Sequence, residues 1–377
     1  MQSHQTRFSR SSHHFGRDDT ASIWDRIHVD PWLMLILLTI CFVGLSILYS
    51  ASAQDMAMVN RQMVSYVIAF VVMIVMAQVP PSLYRDFSPI FYVGGIVLLV
   101  LVLVIGEVRM GAQRWIRIPG FGSVQPSEFM RLGMPMMCAW FMSKRDLPPN
   151  LVTVGSVLAL IAVTVVLILK EPDLGTSLLI AASGIFVVFL AGLPWWMIGS
   201  AIAMAIPAVW VAWNFVMEPY QKQRVMTLIN PEADMLGAGW NITQSKTAIG
   251  SGGLTGKGYL EGTQSHLHFL PEGHTDFIIA AFSEEFGLAG VSVLMFLYAC
   301  LLARALYIAF ANPYTYGRLL AGAIALSFFV YIFVNVGMVG GILPVVGVPL
   351  PFISYGGTAV ITLMAGMGLL MSIHTHK

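Results

Sequence analysis

Residues 151–169 read LVTVGSVLALIAVTVVLIL, without one charged side chain. A helix needs roughly 20 mostly apolar residues to cross the hydrocarbon core of a bilayer, and this stretch has about that length. Charged residues make up only 10% of the 377-residue chain and hydrophobic residues 57%, whereas soluble domains carry about a quarter charged residues. The composition therefore predicts a polytopic membrane protein. The formal net charge of +1 also argues against a nucleic-acid-binding protein.

Similar apolar stretches recur along the chain and predict an all-α fold with about ten transmembrane helices. The predicted spans are residues 32–50, 62–79, 89–106, 127–143, 151–169, 175–192, 195–213, 276–306, 318–341 and 356–373. Residues 1–30 are polar and rich in Arg and His, which indicates a cytoplasmic tail ahead of a single transmembrane domain over 31–377. One long stretch, 214–275, has no predicted span and is expected to be a large extracytoplasmic loop with a short interfacial helix near Tyr220.

The positive-inside rule leaves the orientation undecided by count alone, because Lys and Arg divide equally between the two sides. With the N-terminus inside, the inside charges fall in tails and short turns such as 143–146. Most outside charges fall in two longer segments, 107–131 and 214–275, and long segments follow the rule poorly. We therefore expect both the N- and C-termini in the cytoplasm.

Basic residues cluster in both outer segments. They are Arg109, Arg114, Arg117, Arg131, Lys222, Arg224, Lys246 and Lys257. Clustered Lys and Arg suit a phosphate or pyrophosphate head group. The alternative is that these side chains merely border the membrane and extend their charges to water.

Asp276 stands directly before an apolar span, within FLPEGHTDFI at residues 269–278. A carboxylate at the end of a membrane helix costs free energy and is therefore expected to have a functional role. The positive end of the helix dipole favours its ionised form, which can accept a proton from a sugar hydroxyl. Glu272 lies four residues earlier and shares the site if this turn is helical. Position alone leaves open whether Asp276 caps the helix, acts as a general base, or does both.

Two other acidic motifs open predicted spans. QPSE at 125–128 places Pro126 and Glu128 in a first helical turn, so Glu128 either favours the helix start or joins a charged cluster with Arg114 or Arg131. PDLGT at 172–176 repeats the pattern, and Asp173 is expected to be an N-cap. Deeper in a span, Glu284 and Glu285 must be paired, protonated or hydrated. We favour pairing with a basic residue such as Arg131.

Two glycine-rich stretches cannot be regular membrane helices. Residues 250–258 lack the first Gly and the final hydroxyl of a P-loop and are expected to form a flexible turn near a lipid head group. Residues 340–357 contain three prolines and five glycines. Irregular backbone at membrane depth is tolerated where it lines a cavity or is covered by protein. This stretch therefore either lines a cavity or forms a rigid hairpin.

Several of these motifs occur in an order that resembles the SEDS family (shape, elongation, division and sporulation). They are QPSE (125–128), PDLGT (172–176), GAG (237–239), QS (244–245), AIGSGG (248–253), FLPE (269–272), HTDF (274–277) and PFISYGG (351–357). The resemblance runs from about residue 25 to the C-terminus. GVPLP at 347–351 is similar to the elongation branch, RodA, whereas the division branch, FtsW, usually has Lys-Gly-Leu-Thr there. Arg131 departs from the family pattern, which often has Lys, and the two are not equivalent.

This resemblance implies a ten-span peptidoglycan glycosyltransferase of the bacterial inner membrane. Such an enzyme polymerises lipid II, a disaccharide-pentapeptide on undecaprenyl pyrophosphate, into glycan strands for cell elongation and rod shape. Asp276 matches the essential aspartate of the family. The implied partners are lipid II, the nascent glycan strand, a class B penicillin-binding protein and other membrane proteins of the elongation complex.

The mechanism expected from the resemblance makes Asp276 the catalytic base for the acceptor sugar. Arg114, Lys246 and Lys257 are candidates for stabilising the pyrophosphate, and Glu128 and Glu272 complete the predicted substrate-binding set. A divalent cation, Mg²⁺ or Mn²⁺, is a further candidate for stabilising that charge, although no compact set of ligands requires a metal. Two alternatives to the enzyme are a lipid II flippase or transporter and a non-catalytic scaffold for cell-wall proteins.

Overall fold

The computed structural model describes residues 24, 27–109, 112–118, 122–234, 237–263 and 273–376. Ten α-helices within these ranges coincide with the ten predicted spans and confirm the all-α polytopic fold. They are α1 Pro31–Ala51, α2 Met56–Gln78, α3 Pro81–Ile105, α4 Pro126–Ser143, α5 Leu151–Lys170, α6 Leu174–Leu190, α7 Trp195–Val211, α10 Ile278–Ala311, α11 Thr315–Val339 and α12 Gly357–Thr375. Two further helices, α8 Pro219–Ile229 and α9 Ala238–Gly252, lie in the long segment 214–275.

Eight helices in the described part of the chain are long and apolar enough to cross a membrane. The two remaining predicted spans are α4 and α6. Helix α6 has 17 residues, slightly fewer than a bilayer requires. Helix α4 carries Glu128 and Arg131 in its first two turns, and 11 of its 18 residues are buried. A helix surrounded by protein does not need a lipid-facing apolar surface, so α4 can be more polar than its neighbours.

Three short strands form a small sheet between α3 and α4, and they were not predicted. They are β1 Glu107–Arg109, β2 Ala112–Ile118 and β3 Gly122–Val124, paired antiparallel in that order. Glu107 lies opposite Trp115, and Ile116 lies opposite Val124. Strands β1 and β3 have three residues each, too few for alternation to reveal them. The sheet fixes the backbone of β2, which carries Arg114.

The two ends of the described chain meet at one buried ionic cluster. Asp30 caps α1 through the backbone amides of Trp32 and Leu33. The same carboxylate accepts hydrogen bonds from Arg304 Nε at 2.9 Å and from a terminal nitrogen of Arg304 at 2.6 Å. His374 of α12 lies 3.2 Å from that guanidinium. Helices α1, α10 and α12 are therefore tied together at the same end of the bundle.

Helix α7 differs from the other spans because none of its described residues is buried. It continues into a π-helical turn at Ala212–Val216, which leads to helix α8. Wider turns of this kind are common where a helix changes course. Helix α8 starts where an interfacial helix was expected, with Pro219 at its first position and a reciprocal capping box between Glu218 and Gln221.

The turn after α9 is docked against α10, which contradicts the expected flexible turn. Gly287 interrupts α10 with a φ of 61°, and the amides freed there are paired with the turn. Leu288 N donates to Gly253 O at 3.0 Å, and Lys257 N donates to Glu284 O at 3.0 Å. Paired backbone groups of this kind satisfy the requirement for internal hydrogen bonding at membrane depth.

We predict that Gly287→Ala lowers the free energy of unfolding by more than about 1 kcal/mol. An added Cβ would stand 2.3 Å from Gly256 N, and the positive φ disfavours any L side chain. Gly94→Ala is the matched control because nothing lies within 4 Å of its Cβ position. Thermal unfolding in detergent should separate the two variants. Equal midpoints would contradict the packing described for this turn.

Candidate active site

A polar cavity of 320 Å³ opens among the N-terminal ends of α4, α6 and α12. Sheet strand β2, helix α8, the turn before α10 and the irregular segment before α12 complete its walls. Six ionisable side chains line it: Arg114, Glu128, Arg131, Asp173, Arg224 and Asp276. Three carboxyl groups and three guanidinium groups thus share one small space, which makes it the strongest candidate for polar chemistry.

The turn that carries Asp276 is held by α11 and by the irregular segment before α12. Asn335 Nδ2 donates to the carbonyl oxygen of Asp276 at 2.8 Å. Ser354 Oγ donates to Thr275 O at 2.7 Å, and Tyr355 N donates to His274 O at 3.0 Å. Helix α10 begins at Ile278 with Phe277 as its N-cap. Asp276 therefore lies one residue before the N-cap, on a backbone fixed from the opposite side.

The irregular segment also leaves space for the Asp276 carboxylate. Gly347 has a φ of +72°, and a Cβ built there would lie 3.4 Å from Asp276 Oδ2. Val346, Gly347 and Pro349 line the cavity. The stretch 340–356 is irregular, as predicted, and it takes the cavity-lining role among the two that the sequence left open.

Glu128 and Arg131 form a buried ion pair in the wall contributed by α4. Their nearest side-chain atoms, Glu128 Oε2 and Arg131 Nη1, are 2.9 Å apart, and the side chains are only 7% and 10% exposed. The Arg131 guanidinium also lies over the Tyr331 ring, 5.1 Å from its centroid. Glu128 therefore belongs to a charged cluster with Arg131. The spacing of three residues along a helix brings the two charges together.

Arg114 is positioned by the Glu-Pro-Asp turn that precedes α6. Its Nε donates to Glu171 O at 3.0 Å, and a second nitrogen donates to Pro172 O. A third nitrogen lies 3.6 Å from Asp173 Oδ2. Asp173 accepts from Thr176 N at 3.1 Å and caps α6, as expected. The Asp173 carboxylate therefore both caps α6 and faces Arg114, which fixes Arg114 at the rim of the cavity.

The predicted pairing with a basic residue is confirmed for Glu284, but its partner is Lys257 and not Arg131. Glu284 Oε1 accepts from Lys257 Nζ at 2.6 Å and from Thr263 N at 2.9 Å. Glu285 accepts from Ser50 Oγ. Arg131 is occupied by Glu128, three residues away on its own helix. The docked turn after α9 instead brings Lys257 to the buried carboxylate.

The predicted site residues thus separate into two groups. Asp276, Arg114 and Glu128 line the cavity. Lys257 and Lys246 do not line it: Lys257 is paired with Glu284, and Lys246 packs beside Gly341. Glu272 lies outside the described residues. No group of three or more His, Cys, Asp or Glu side chains suited to a metal ion occurs in the described part of the chain.

Three lining groups went unassigned as site residues in the sequence. Arg131 was noted for its departure from the family pattern, Asp173 was treated only as a cap, and Arg224 was one of eight outer cations. The available signal for Arg131 was its spacing from Glu128. No comparable local signal distinguishes Arg224 from Lys222, because only the fold determines which one faces the cavity.

Behind Arg114, the Glu171 carboxyl is buried, and neither of its oxygens has a hydrogen-bond partner in the described structure. Burial raises the pKa of Glu171 from 4.5 to about 8; the Asp173 carboxylate adds to the rise and the Arg114 guanidinium opposes it. From pH 4.5 to about 8 the unfolded chain releases this proton while the folded protein keeps it. Folding stability contributed by this group is therefore complete below this window and falls as pH rises through it.

We predict that Glu171→Gln flattens the dependence of the unfolding midpoint on pH. A neutral amide has nearly the shape of the protonated acid and cannot ionise, so the loss of stability toward pH 8 should shrink. Thermal unfolding of both proteins in detergent, across the window from about pH 4.5 to about pH 8, measures this effect. Identical slopes for the two proteins would show that Glu171 does not titrate differently on folding.

Comparison with known proteins identifies the family to which this chain belongs. The family model for FtsW, RodA and SpoVE, described as cell cycle proteins, matches residues 31–377. The chain belongs to the FtsW/RodA/SpoVE family. This confirms the resemblance carried by the SEDS motifs. Peptidoglycan glycosyltransferase MrdB of Escherichia coli K12 is 50% identical over 356 residues, which cover 94% of this chain and 96% of that protein.

Family members with lower sequence identity match the chain over nearly the same length. The probable peptidoglycan glycosyltransferase FtsW of Trichlorobacter lovleyi is 36% identical over 357 residues, covering 91% of this chain and 92% of that protein. The crystal structure of the rod shape determining protein RodA of Thermus thermophilus superposes with a TM-score of 0.69 at 28% identity, covering 92% of this chain and 96% of RodA.

A chain from a solved peptidoglycan synthase complex, described as coordinating polymerization and crosslinking, gives a TM-score of 0.80 at 29% identity. The match covers 92% of this chain and 97% of that chain. The fold is therefore that of the family over nearly its whole length.

Proposed function

We propose that this member of the FtsW/RodA/SpoVE family is a peptidoglycan glycosyltransferase that polymerises lipid II for cell elongation. The observation that supports it most is the placement of the Asp276 carboxylate in one cavity with three guanidinium groups. A glycosyl transfer from a pyrophosphate lipid needs a base and cations for the leaving group, and the cavity offers both. The name of the E. coli relative MrdB supports the same activity.

In the proposed reaction, Asp276 takes the proton from the 4-hydroxyl of the acceptor N-acetylglucosamine. The oxygen attacks the anomeric carbon of the donor N-acetylmuramic acid, and the bond to undecaprenyl pyrophosphate breaks on the opposite side. In-line displacement converts the α-linked donor into a β-linked product. The hydrogen bond that the Asn335 side chain donates to the backbone carbonyl of Asp276 limits the movement of the residue that carries the base, which favours a reactive geometry.

The proposed setting is a bacterial inner membrane with both termini in the cytoplasm and the cavity facing outward. An even number of spans places both ends on one side, and Asp30 and His374 do meet at Arg304. Arg85 near the start of α3 and Lys144 directly after α4 border a polar pocket that also contains Tyr316 of α11. Basic residues next to short connections favour the cytoplasmic side.

A class B penicillin-binding protein is the partner that we propose for crosslinking the product. The structural relative in a complex that coordinates polymerization and crosslinking supports such a pairing. Lipid II and the growing strand would meet in the cavity, with Asp276 as the base. Arg114 and Glu128 are the proposed substrate-binding residues that line it. Other membrane proteins of the elongation complex belong to the same proposal.

The test is purified protein in liposomes with fluorescent lipid II, with and without the penicillin-binding partner. We expect glycan strands of many disaccharides, separated by size on a gel. Translocation of lipid II between leaflets is read in the same vesicles by protection from an external reagent. Translocation without any glycan product in either condition would reject the polymerase and support the flippase.

A further inference from the structure

Arg224 is a cavity-lining cation whose charge is not matched by a neighbouring acid. Arg131 is paired with Glu128 at 2.9 Å, and Arg114 lies 3.6 Å from Asp173. Across the described residues, no carboxylate oxygen lies within 4.0 Å of the Arg224 guanidinium. A guanidinium directed into a polar cavity without a carboxylate partner is available to an anionic ligand.

The helix that carries Arg224 is well formed and faces the cavity from the outer loop. Helix α8 begins with Pro219 and the capping box of Glu218 and Gln221. The ring of Tyr220, one turn before Arg224, lies 6.0 Å from its guanidinium carbon. Thr227, one turn after it, reaches Asp234 at 3.4 Å. The fold therefore holds the backbone of α8 in place, and among the described residues the Arg224 guanidinium has no carboxylate partner that would compete with a ligand.

We propose that Arg224 binds the pyrophosphate of the donor lipid and stabilises the charge that develops on it. This assignment rests on the proposed glycosyltransferase function. When the bond between the donor's anomeric carbon and the pyrophosphate oxygen breaks, its electron pair stays on that oxygen. The pyrophosphate therefore gains one negative charge, and the acceptor proton passes to Asp276. A planar guanidinium can contact two phosphate oxygens at once. Arg114 and Arg131 already have carboxylate neighbours, so Arg224 supplies the uncompensated positive charge.

The alternative role for Arg224 is a general attraction of anionic lipid to the outer loop. Lys222 provides the matched control because it lies two residues away on the same helix and carries the same charge. It is not among the residues that line the cavity. Residues two apart on a helix point in different directions, so a general electrostatic effect should involve both side chains and a pyrophosphate site only Arg224.

The experiment compares Arg224→Gln, Arg224→Lys and Lys222→Gln with the wild type in detergent. Binding of undecaprenyl pyrophosphate and of undecaprenyl monophosphate is measured for each, together with KM and kcat for lipid II polymerisation. We expect Arg224→Gln to weaken binding of the pyrophosphate lipid by about 10- to 100-fold, the usual loss for a charge-assisted hydrogen bond. Binding of the monophosphate should change much less. Arg224→Lys should recover part of the loss, and Lys222→Gln should match the wild type.

Equal pyrophosphate affinity in Arg224→Gln and the wild type would overturn the proposal, and so would an equal loss in Lys222→Gln. Thermal midpoints of the variants exclude misfolding as the cause. The measurement of lipid binding does not depend on catalysis. If the wild type makes no glycan yet Arg224 still distinguishes pyrophosphate from monophosphate, the polymerase proposal fails and the Arg224 site stands.

Discussion

Asp276→Asn is expected to lower the polymerisation rate of lipid II by about 10²- to 10⁴-fold, the usual contribution of a general base. Asparagine keeps the size of the side chain but cannot accept the proton. The turn that carries residue 276 is held through backbone carbonyls by Asn335, Ser354 and Tyr355, so the substitution should leave the fold unchanged. The rate is measured from the appearance of glycan strands with fluorescent lipid II.

The matched control is Asp55→Asn, which removes a carboxylate from the predicted outer face of the bundle. Asp55 caps α2 through the amides of Ala57 and Met58 and does not line the cavity. Asparagine caps a helix about as well as aspartate, so this variant should keep its activity. Lipid II binding should be the same in all three proteins. An active Asp276→Asn protein would show that another group accepts the proton.

Glu128→Gln is expected to lower the free energy of unfolding by about 3–5 kcal/mol, because it leaves Arg131 charged and buried without its partner. The pair is 2.9 Å apart and nearly inaccessible. Arg131→Met should cost a similar amount by isolating Glu128. The double variant should be less destabilised than the sum of the single changes, since it removes both buried charges together. Thermal and denaturant unfolding in detergent measure all three.

The exposed pair Arg85–Asp86 is the control for this comparison. Its side chains are 47% and 61% exposed, and exposed ion pairs contribute at most about 1 kcal/mol. Asp86→Asn should therefore change stability little. If Glu128→Gln were as mild as Asp86→Asn, the α4 pair would not be a buried charge pair in the folded protein.

Most of the fold could be predicted because each membrane helix is a run of apolar residues that can be recognised in the local sequence. Ten apolar runs correspond to ten helices, and Asp173 caps α6 as its position in PDLGT suggests. The Glu128–Arg131 pair is also local, since the two residues are three apart on one helix. The proline- and glycine-rich stretch at 340–357 was correctly expected to be irregular, because its residues cannot continue a helix.

The remaining errors concern contacts between distant parts of the chain. Lys257 was assigned to the substrate, but docking of its turn on α10 places it 2.6 Å from Glu284. That docking depends on the positive φ of Gly287 in the middle of a long apolar run, where periodicity predicts continuous helix. Strands β1 and β3 have only three residues each, too few for a pattern of alternation. Arg224 and Lys222 have similar sequence surroundings, and only the packing of α8 distinguishes them.

The most direct test counts undecaprenyl pyrophosphate released per disaccharide added, by mass spectrometry, for wild type and Asp276→Asn saturated with lipid II. A glycosyltransferase that uses Asp276 as its base should release one carrier for each new glycosidic bond, and the variant should bind lipid II but release the carrier at least about 10²-fold more slowly. Release at the wild-type rate from Asp276→Asn, or strand growth without carrier release, would contradict the account.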